Sequence, residues 1–368
     1  MIETTVSRFE FEQLGKTCSL VVGAGAVDGL SWLLADPEPP TQILVVHDSH
    51  VPAEFIARIQ NHCRPHASHM AVESSEQAKT LQTVDAIWHW MAGARFDRHS
   101  AIIAVGGGIV SDVAGFAAAT YNRGVRFAVI PTTLLSMVDA AIGGKTGINL
   151  RLPDGSLAKN LVGSVWVPEA IVADVTALHS LPDRHLRSGL AECIKHALVA
   201  DHTFAEWIIT NRAAILGRDP EILSELVQRS AHVKLNVVVE DPLEHGPRMA
   251  LNMGHTFAHA IESRHSDRYT HGEAVGIGLV AATAAAVESG LAQPSMLARV
   301  RGWLKDVGLP GSLEGANPDV AALTAAMSTD KKRKGGALRL ILPREAGGAE
   351  FVHGPSLKVV AAGWHAVA

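Results

Sequence analysis

The feature that most constrains the fold is an alternation, in the first half of the chain, between short β-branched runs and stretches with helical periodicity. The runs at residues 42–46 (QILVV), 101–105 (AIIAV) and 127–130 (FAVI) have the composition of buried strands. Helical patterns, such as those at residues 77–91 and 109–119, lie between them. This order is typical of parallel β/α units, so we predict an α/β fold for this half.

The second half of the chain has a different character from about Leu181 onward. Residues 186–199, 220–239, 253–263 and 273–289 show helical periodicity with few strand signals, apart from an alternating run at residues 337–342 (ALRLIL). A proline-containing turn, LHSLPD, separates the two halves. We therefore predict two domains, residues 1–180 and a mostly α-helical domain at residues 181–368.

Charge and composition exclude several classes of protein. The net charge of −5 and the lack of a basic stripe argue against a nucleic-acid partner. The longest apolar run, residues 274–287, is too short to cross a bilayer and predicts a buried helix. Three scattered cysteines cannot form a disulfide framework, and the acidic N-terminus lacks the apolar segment of a signal peptide. We therefore expect a cytoplasmic protein with no membrane or nucleic-acid partner.

Glycines and polar residues at predicted strand ends are candidates for nucleotide binding. Gly106, Gly107 and Gly108 follow one strand and precede a helix, so a pyrophosphate could approach the backbone there, although a tight turn would need the same glycines. Thr132 and Thr133 follow another strand and could face a ligand or cap a helix. Asp48, at the end of the first strand, is placed to hold ribose hydroxyls.

Two other segments resemble functional motifs, one for dinucleotide binding and one for zinc binding. Residues 23–29 (GAGAVDG) resemble a dinucleotide fingerprint, but the spacing is not the standard one, and a structural turn is the alternative. Residues 61–70 (NHCRPHASHM) contain zinc-type side chains but are polar and interrupted by Pro65. We interpret this second segment as a solvated connection.

Histidines and one carboxylate in the second half are candidate metal ligands. His255 and His259 are four residues apart and share one face of a predicted helix, and His271 opens another helix. Glu192 lies on a third helix, with Lys195 one turn later and His196 four residues later. Catalytic zinc commonly takes three such ligands and keeps a position open, so Glu192 and two of the histidines would suffice. The spacing alone does not say which two.

Basic and amide side chains in glycine-rich or polar segments indicate an anionic substrate with phosphate and carboxylate groups. A scatter of surface charges is the alternative, which fits the lysines at residues 331–334 well and Lys145 poorly, because the neighbours of Lys145 are apolar or glycine. The candidates are Lys145, Lys159, Asn160, Arg248, Asn252, Lys331 and Lys332.

Long strings in a fixed order make the sequence recognisable. The strings include GGGIVSDVAGFAAATYNRGVRF, PTTLLSMVDAAIGGKTGIN, KNLVG, LPDRHLRSGLAECIKHAL, RMALNMGHTFAHAIE, HGEAVGIG and DKKRKGGALRLILP. The chain resembles the dehydroquinate synthase family, one of the sugar-phosphate cyclases, from about Val45 to Leu342. The resemblance implies a Rossmann-like NAD-binding domain followed by a mostly α-helical domain that binds metal and substrate. It also implies a homodimer.

The resemblance further assigns roles to individual residues. It implies metal binding by Glu192, His255 and His271, and a turn at the Gly23 loop. It implies NAD+ binding by Asp48, Glu76, Lys79, Gly107, Gly108, Asp112, Thr132, Thr133 and Ser180. It implies catalytic roles for Asp139, Lys145, Lys195, Arg248, Asn252 and His259. It implies substrate binding by Arg123 (across the dimer), Lys159, Asn160, Lys234, Lys331 and Lys332.

The reaction implied by the resemblance converts the seven-carbon sugar phosphate DAHP into 3-dehydroquinate and phosphate, in the shikimate pathway to aromatic amino acids. It comprises transient NAD-dependent oxidation, phosphate elimination, reduction, ring opening and intramolecular aldol closure, with one Zn2+ or Co2+ ion as the metal cofactor. Two alternatives stay open. One is a sister cyclase of the 2-epi-5-epi-valiolone synthase type, and the other is a metal-dependent polyol dehydrogenase.

Overall fold

The structure is a computed structural model that describes residues 6–33, 38–153, 155, 157–265, 267–313, 319–328 and 338–368. The chain forms two compact units. Unit 1 comprises Met1–Pro182 and Arg218–Ala231, and unit 2 comprises Asp183–Gly217 and His232–Ala368. The division predicted after residue 180 differs from this grouping chiefly in the segment Arg218–Ala231, which returns to unit 1. Among the described residues, no helix is both long and apolar enough to cross a membrane.

Unit 1 is built around a seven-stranded sheet in the order β1-β2-β9-β6-β5-β3-β4. Only β1 is antiparallel, to β2, and the other neighbouring pairs are parallel. The strands are β1 (Ser7–Gln13), β2 (Lys16–Gly23), β3 (Ile43–Asp48), β4 (Ser68–Val72), β5 (Ala101–Gly106), β6 (Arg126–Pro131) and β9 (Ala170–Asp174). The central strands β5 and β9 are buried along their whole length, as expected for a parallel sheet covered on both faces.

The helices of unit 1 follow the β/α alternation predicted from the sequence. They are α1 (Leu30–Leu33), α2 (Ala53–His62), α3 (Leu81–Gly93) and α4 (Gly108–Thr120). A separate antiparallel hairpin, β7 (Lys145–Arg151) and β8 (Leu157–Val165), packs β7 against α4. The α/β fold is therefore confirmed.

The Gly23 loop and residues 61–70 have structural roles. The backbone amides of Gly25 and Val27 donate to the buried carboxylate of Asp174, at 3.1 and 3.3 Å, so they already have an acceptor. This geometry supports the turn interpretation. The interpretation of residues 61–70 as a solvated connection was wrong in part, because Cys63 is fully buried and Ser68–Val72 forms β4. The short strand was missed because its residues are mostly polar or small.

The segment Arg218–Ala231 is tied into unit 1 by side-chain hydrogen bonds. Gln228 donates to the hydroxyl of Ser7 at 3.1 Å. Arg218 donates to the carbonyls of Leu178 and Leu181, at 3.0 and 2.8 Å. The helix that starts here, α8 (Pro220–Glu240), continues past the end of the segment.

Unit 2 is mostly helical. Its helices are α5 (Asp183–Val199), α6 (His202–Thr210), α7 (Arg212–Leu216), α9 (His255–His265), α10 (His271–Glu288), α11 (Pro294–Asp306), α12 (Val320–Ser328) and α13 (Leu357–Val367). One small hairpin pairs β10 (Arg339–Pro343) with β11 (Ala349–His353), so the late strand predicted near residues 337–342 is present. Helix α10 is the central helix, and its residues 274–286 are buried.

Glycines bring α9 and α10 unusually close together. A Cβ atom added to Gly278 of α10 would lie 2.3 Å from the carbonyl oxygen of Gly254, which accepts the first helical hydrogen bond of α9 from Ala258 at 3.0 Å. Gly254 itself has φ +76°, a conformation that favours glycine. This close approach fixes the start of α9 against α10.

Candidate active site

The sheet of unit 1 reverses its strand order between β3 and β5. The chain proceeds from β3 outward to β4 on one side, and from β5 outward to β6 on the other. In open α/β sheets, ligands bind outside the carboxyl ends of the strands at such a point. Asp48 ends β3 and Gly106 ends β5, and a Cβ atom on Gly106 would lie 3.2 Å from the Cβ of Asp48. The structure therefore brings the predicted ribose-binding carboxylate beside the glycine loop.

The glycine loop leads directly into α4. Gly107 is the N-cap residue and Gly108 the first helical residue, so unpaired backbone N–H groups and the positive end of the helix dipole lie here. A Cβ on Gly107 would lie 3.3 Å from the side chain of Thr133, and the amide of Thr132 donates to the carbonyl of Gly106 at 2.9 Å. The glycines and both threonines thus form one surface that fits a pyrophosphate.

A buried lysine contacts one of the other predicted cofactor residues. Lys79 is almost fully buried, and its ammonium contacts the carboxylate of Asp112 on α4. It also donates to the side-chain oxygen of Asn160 at 2.5 Å. Asn160 was assigned to the substrate by resemblance, but here it joins the residues assigned to NAD+.

Asn149 connects this lysine network to Glu76. Its side-chain Nδ2 donates to a carboxylate oxygen of Glu76 at 2.7 Å. Its side-chain Oδ1 accepts from the backbone N–H of Asn160 at 3.0 Å. The ammonium of Lys159 lies 3.8 Å from Glu76. Asn149 was not predicted from the sequence, although it is the last residue of the string PTTLLSMVDAAIGGKTGIN. The structure shows that it is buried within β7.

Four other predicted residues of unit 1 lie on separate elements. Ser180 ends a 3-10 helix after β9, and its hydroxyl donates to the carbonyl of Ala177 at 3.1 Å. Asp139 lies in a π-helical turn and is partly exposed, and Lys145 is exposed at the start of β7. Arg123 is exposed beyond the C-terminal end of α4. Since a helix rises 1.5 Å per residue, the C-terminal end of α4, just before Arg123, is roughly 18 Å from the glycine loop.

The candidate metal centre is in unit 2, where three helices each contribute one ligand. Glu192 of α5 is fully buried, and its Oε1 lies 3.7 Å from Nε2 of His255 and 3.6 Å from Nε2 of His271. One ligand atom of each of the three residues lies within 4.8 Å of the others. Tetrahedral zinc at bond lengths of about 2.0–2.2 Å separates its ligand atoms by about 3.3 Å, so this donor set fits a divalent cation.

Both histidines present Nε2 because Nδ1 is engaged elsewhere. Nδ1 of His255 lies 3.1 Å from the carbonyl oxygen of Met253, and Nδ1 of His271 lies 3.1 Å from a carboxylate oxygen of Glu262. Burial opposes a charge on His271, but its hydrogen bonds with Glu192 and Glu262 outweigh burial and raise its pKa to about 10. The surroundings therefore favour positive charge at the place where a cation would bind.

The start of α10 is fixed by a capping box. The hydroxyl of Thr270 accepts from the amide of Glu273 at 3.3 Å, and the carboxylate of Glu273 accepts from the amide of Thr270 at 2.7 Å. Arg184 of α5 donates twice to the same carboxylate, at 2.8 and 2.7 Å. These bonds hold His271, the first residue of α10, beside α5.

Three further polar residues of α5 and α9 lie beside the three ligands without belonging to that group. His259 is partly exposed, its ring centroid lies 5.6 Å from that of His255, and it is not part of the three-ligand group. His196 is fully buried one turn after Glu192 and is likewise outside that group. Lys195 is buried, and its ammonium contacts Glu192 Oε2.

Arg248 and Asn252 lie in the segment that leads into α9. Arg248 is buried and donates to the carbonyl of Pro242 at 2.6 Å, while the amide of Asn252 contacts Glu244. The carboxylate of Asp241 accepts from the amides of His245, Gly246 and Arg248, at 2.9, 2.6 and 3.2 Å. Asp241 and Glu244 were not predicted from the sequence, although both lie just upstream of Arg248 in a polar segment.

Three of the lysines predicted to bind the substrate come from the second half of the chain, namely Lys234, Lys331 and Lys332. Lys234 is buried on α8. Lys331 and Lys332 lie outside the described residues. Lys195, Lys234 and Arg248 are thus buried cations within unit 2 of a chain whose net charge is −5. Lysine and arginine side chains are the groups that bind carboxylate and phosphate in proteins.

Comparison with known proteins decides the family. Family models described as 3-dehydroquinate synthase N-terminal and 3-dehydroquinate synthase C-terminal match residues 69–188 and 189–333. The 3-dehydroquinate synthase of Rhodopirellula baltica is 40% identical over 328 residues, which cover 88% of this chain and 86% of the relative. The chain belongs to the 3-dehydroquinate synthase family. It is accordingly an enzyme of the 3-dehydroquinate synthase type.

Solved structures of related sugar-phosphate cyclases share the fold of this 3-dehydroquinate synthase family member. A 2-epi-5-epi-valiolone synthase from Streptomyces hygroscopicus, with NAD+ and Zn2+ bound, is 27% identical and superposes with a TM-score of 0.81 over 97% of this chain and 98% of its own. A 2-deoxy-scyllo-inosose synthase, complexed with carbaglucose-6-phosphate, NAD+ and Co2+, is 24% identical with a TM-score of 0.86, covering 98% and 100%. At that identity the second likeness establishes the fold only.

Proposed function

We propose that this protein catalyses the 3-dehydroquinate synthase reaction, converting DAHP into 3-dehydroquinate and phosphate with no net redox change. The observation that carries the proposal is the convergence of Glu192, His255 and His271 in a chain of this family. The proposed cofactors are NAD+ and one Zn2+ or Co2+ ion. The 2-epi-5-epi-valiolone synthase structure, which holds NAD+ and Zn2+, supports this choice.

The residues of unit 1 fit the cofactor role. Gly107, Gly108 and the N-terminus of α4 would receive the pyrophosphate, and Asp48 would accept hydrogen bonds from ribose hydroxyls. The network of Lys79, Asp112 and Glu76 would hold the nucleotide beside them. When bound, NAD+ supplies a hydride acceptor and the divalent cation supplies a Lewis acid that acidifies a substrate hydroxyl.

The residues of unit 2 would bind and orient the substrate. Arg248 and Lys234 would pair with its carboxylate and phosphate, and Arg248 is held in place by Pro242 and by the Asp241 carboxylate. Asn252 and Lys195 would hydrogen-bond to substrate hydroxyls near the cation. His259 would bind the substrate or move a proton beside the metal-binding histidines.

Asp139, Lys145, Lys159 and Ser180 complete the proposed set. Asp139 and Lys145 would assist proton movement or bind the anion. Lys159 would bind the substrate, together with Lys331 and Lys332. Asn160, assigned to the substrate by resemblance, would bridge substrate and cofactor because it contacts Lys79.

The proposal includes a homodimer in the cytoplasm. The exposed Arg123, which lies just beyond the C-terminal end of α4, would contact the phosphate bound to the other subunit. Cys18, Cys63 and Cys193, all in described parts of the chain, are buried and form no disulfide, which suits a reducing compartment.

The test is a comparison of substrates with the purified protein, NAD+ and Zn2+ or Co2+. We expect phosphate release from DAHP without accumulation of NADH, measured by a phosphate assay and by absorbance of the nicotinamide. Glu192→Gln removes the proposed ligand and should abolish release. The control is Glu288→Gln, at the C-terminal end of α10 and far along that helix from His271, and it should leave phosphate release unchanged.

Two results would overturn the assignment. Preferential turnover of sedoheptulose 7-phosphate would make the enzyme a cyclase of the 2-epi-5-epi-valiolone synthase type. Net NADH production from a simple polyol would make it a dehydrogenase.

A further inference from the structure

Glu262 contacts one of the candidate metal ligands without belonging to the ligand group. It lies near the end of α9, seven residues after His255, so both side chains lie on the same side of that helix. Its Oε1 is 3.1 Å from Nδ1 of His271, and its side chain is 20% exposed. The helix that supplies one ligand directly therefore also reaches the ligand supplied by α10.

The contact determines which ring nitrogen of His271 faces Glu192. An imidazole that binds a cation through Nε2 must carry its proton on Nδ1, and an acceptor beside Nδ1 selects that tautomer. His255 has such an acceptor in the backbone carbonyl of Met253, at 3.1 Å. For His271 the carboxylate of Glu262 takes this role, at 3.1 Å.

His271 depends on such an acceptor more than His255 does. The side chain of His271 is 34% exposed, whereas that of His255 is 9% exposed and confined by its neighbours. An imidazole with that much access to water, at the first position of a helix, can rotate toward solvent unless a second contact restrains it. Glu262 supplies the restraint from a different helix.

We propose that Glu262 is a positioning residue that sets cation affinity by holding the Nδ1–H of His271, so that Nε2 points toward Glu192. The inference rests on the proposed function in one respect, namely that His271 is a metal ligand. A carboxylate acceptor also makes the imidazole a more basic ligand, and acceptors of this kind typically change metal affinity about 10- to 100-fold.

The experiment measures Zn2+ affinity of the metal-free full-length protein by competition with a chromophoric chelator, without substrate or NAD+. Glu262→Ala should weaken binding about 10- to 100-fold. Glu262→Gln keeps an oxygen that can accept the Nδ1–H and should recover most of the affinity. The matched control is Glu288→Ala, which removes a glutamate at the far end of α10 that pairs with Lys358, and it should leave affinity unchanged.

Two outcomes would overturn the proposal. Affinity within twofold of wild type in Glu262→Ala would show that His271 needs no restraint. Equal losses in the Ala and Gln variants would show that only the negative charge matters. Since these measurements involve no turnover, their outcome is separable from failure of the enzyme to use DAHP.

Discussion

Replacing Gly278 by alanine tests whether the close approach of α9 and α10 builds the metal centre. The new methyl group would lie 2.3 Å from the carbonyl oxygen of Gly254, about 1 Å short of the 3.4 Å at which ordinary contacts begin. The obstacle is backbone, which cannot rotate away, and it also accepts the hydrogen bond of Ala258. The helices must therefore separate.

The magnitude follows from two opposing effects. Overpacking a close contact costs about 1–3 kcal/mol, and a rigid backbone obstacle places this site at the upper end. Alanine in place of glycine within a helix contributes about 1 kcal/mol of stability in return. We expect Gly278→Ala to lower the free energy of unfolding by about 2 kcal/mol. Because His255 directly follows Gly254, Zn2+ affinity should fall as well.

The matched control is Gly302→Ala in α11, where an added Cβ meets no atom within 4 Å. Only the helix-propensity gain remains there, so we expect stabilisation of about 0.5–1 kcal/mol. Urea denaturation of the metal-free proteins measures both changes, and chelator competition measures the affinity. If Gly278→Ala stabilises the protein as much as Gly302→Ala and leaves Zn2+ binding intact, the proposed role of this helix crossing is refuted.

Two further predictions concern the segments beside the candidate ligands. Thr270→Ala removes the N-cap of α10 and should cost about 1 kcal/mol in urea denaturation, whereas Thr270→Ser, which keeps the hydroxyl, should cost much less. Equal losses in the two variants would contradict the capping argument. Asp241 has a lowered pKa, because burial, which opposes the charged form, is outweighed by hydrogen bonds from the amides of His245, Gly246 and Arg248. Its contribution to stability should therefore be present above the unfolded pKa of about 3.9 and be lost as pH falls through the lower folded value. The difference in unfolding free energy between wild type and Asp241→Asn should be largest near neutral pH and shrink in acid, and a difference that grows in acid would be incompatible with this account.

The sequence was sufficient to predict the elements with strong periodicity. The strands at residues 42–46, 101–105 and 127–130 and the long helices of the second half are present within a few residues of the predicted bounds. Strands β1, β2, β4, β7, β8, β9 and β11 were not predicted. β4 and β8 are mixed in polarity and β9 is buried along its whole length, so these three lack the alternation that marks a half-buried strand. The alternation of β1 (SRFEFEQ) was present in the sequence and was overlooked.

The candidate site was predictable as a set of chemical types but not as a geometry. Spacing placed His255 and His259 on one helix face, and could not say which ring faces Glu192, because that depends on how α9 crosses α5 and α10. The resemblance favoured His255, and the structure places its Nε2 at 3.7 Å from the carboxylate. Asn149 was missed because its role arises from a contact with Glu76, which is distant in sequence, and Glu262 was missed because its role depends on how α9 and α10 pack.

The return of Arg218–Ala231 to unit 1 has a consequence for synthesis on the ribosome. Leu223, Leu226 and Val227 of this segment are fully buried. The N-terminal unit cannot complete its core until residue 231 has emerged, by which time part of unit 2 has already been translated. A gene fragment ending at residue 182 would encode a product lacking these side chains, so we expect it to aggregate rather than fold.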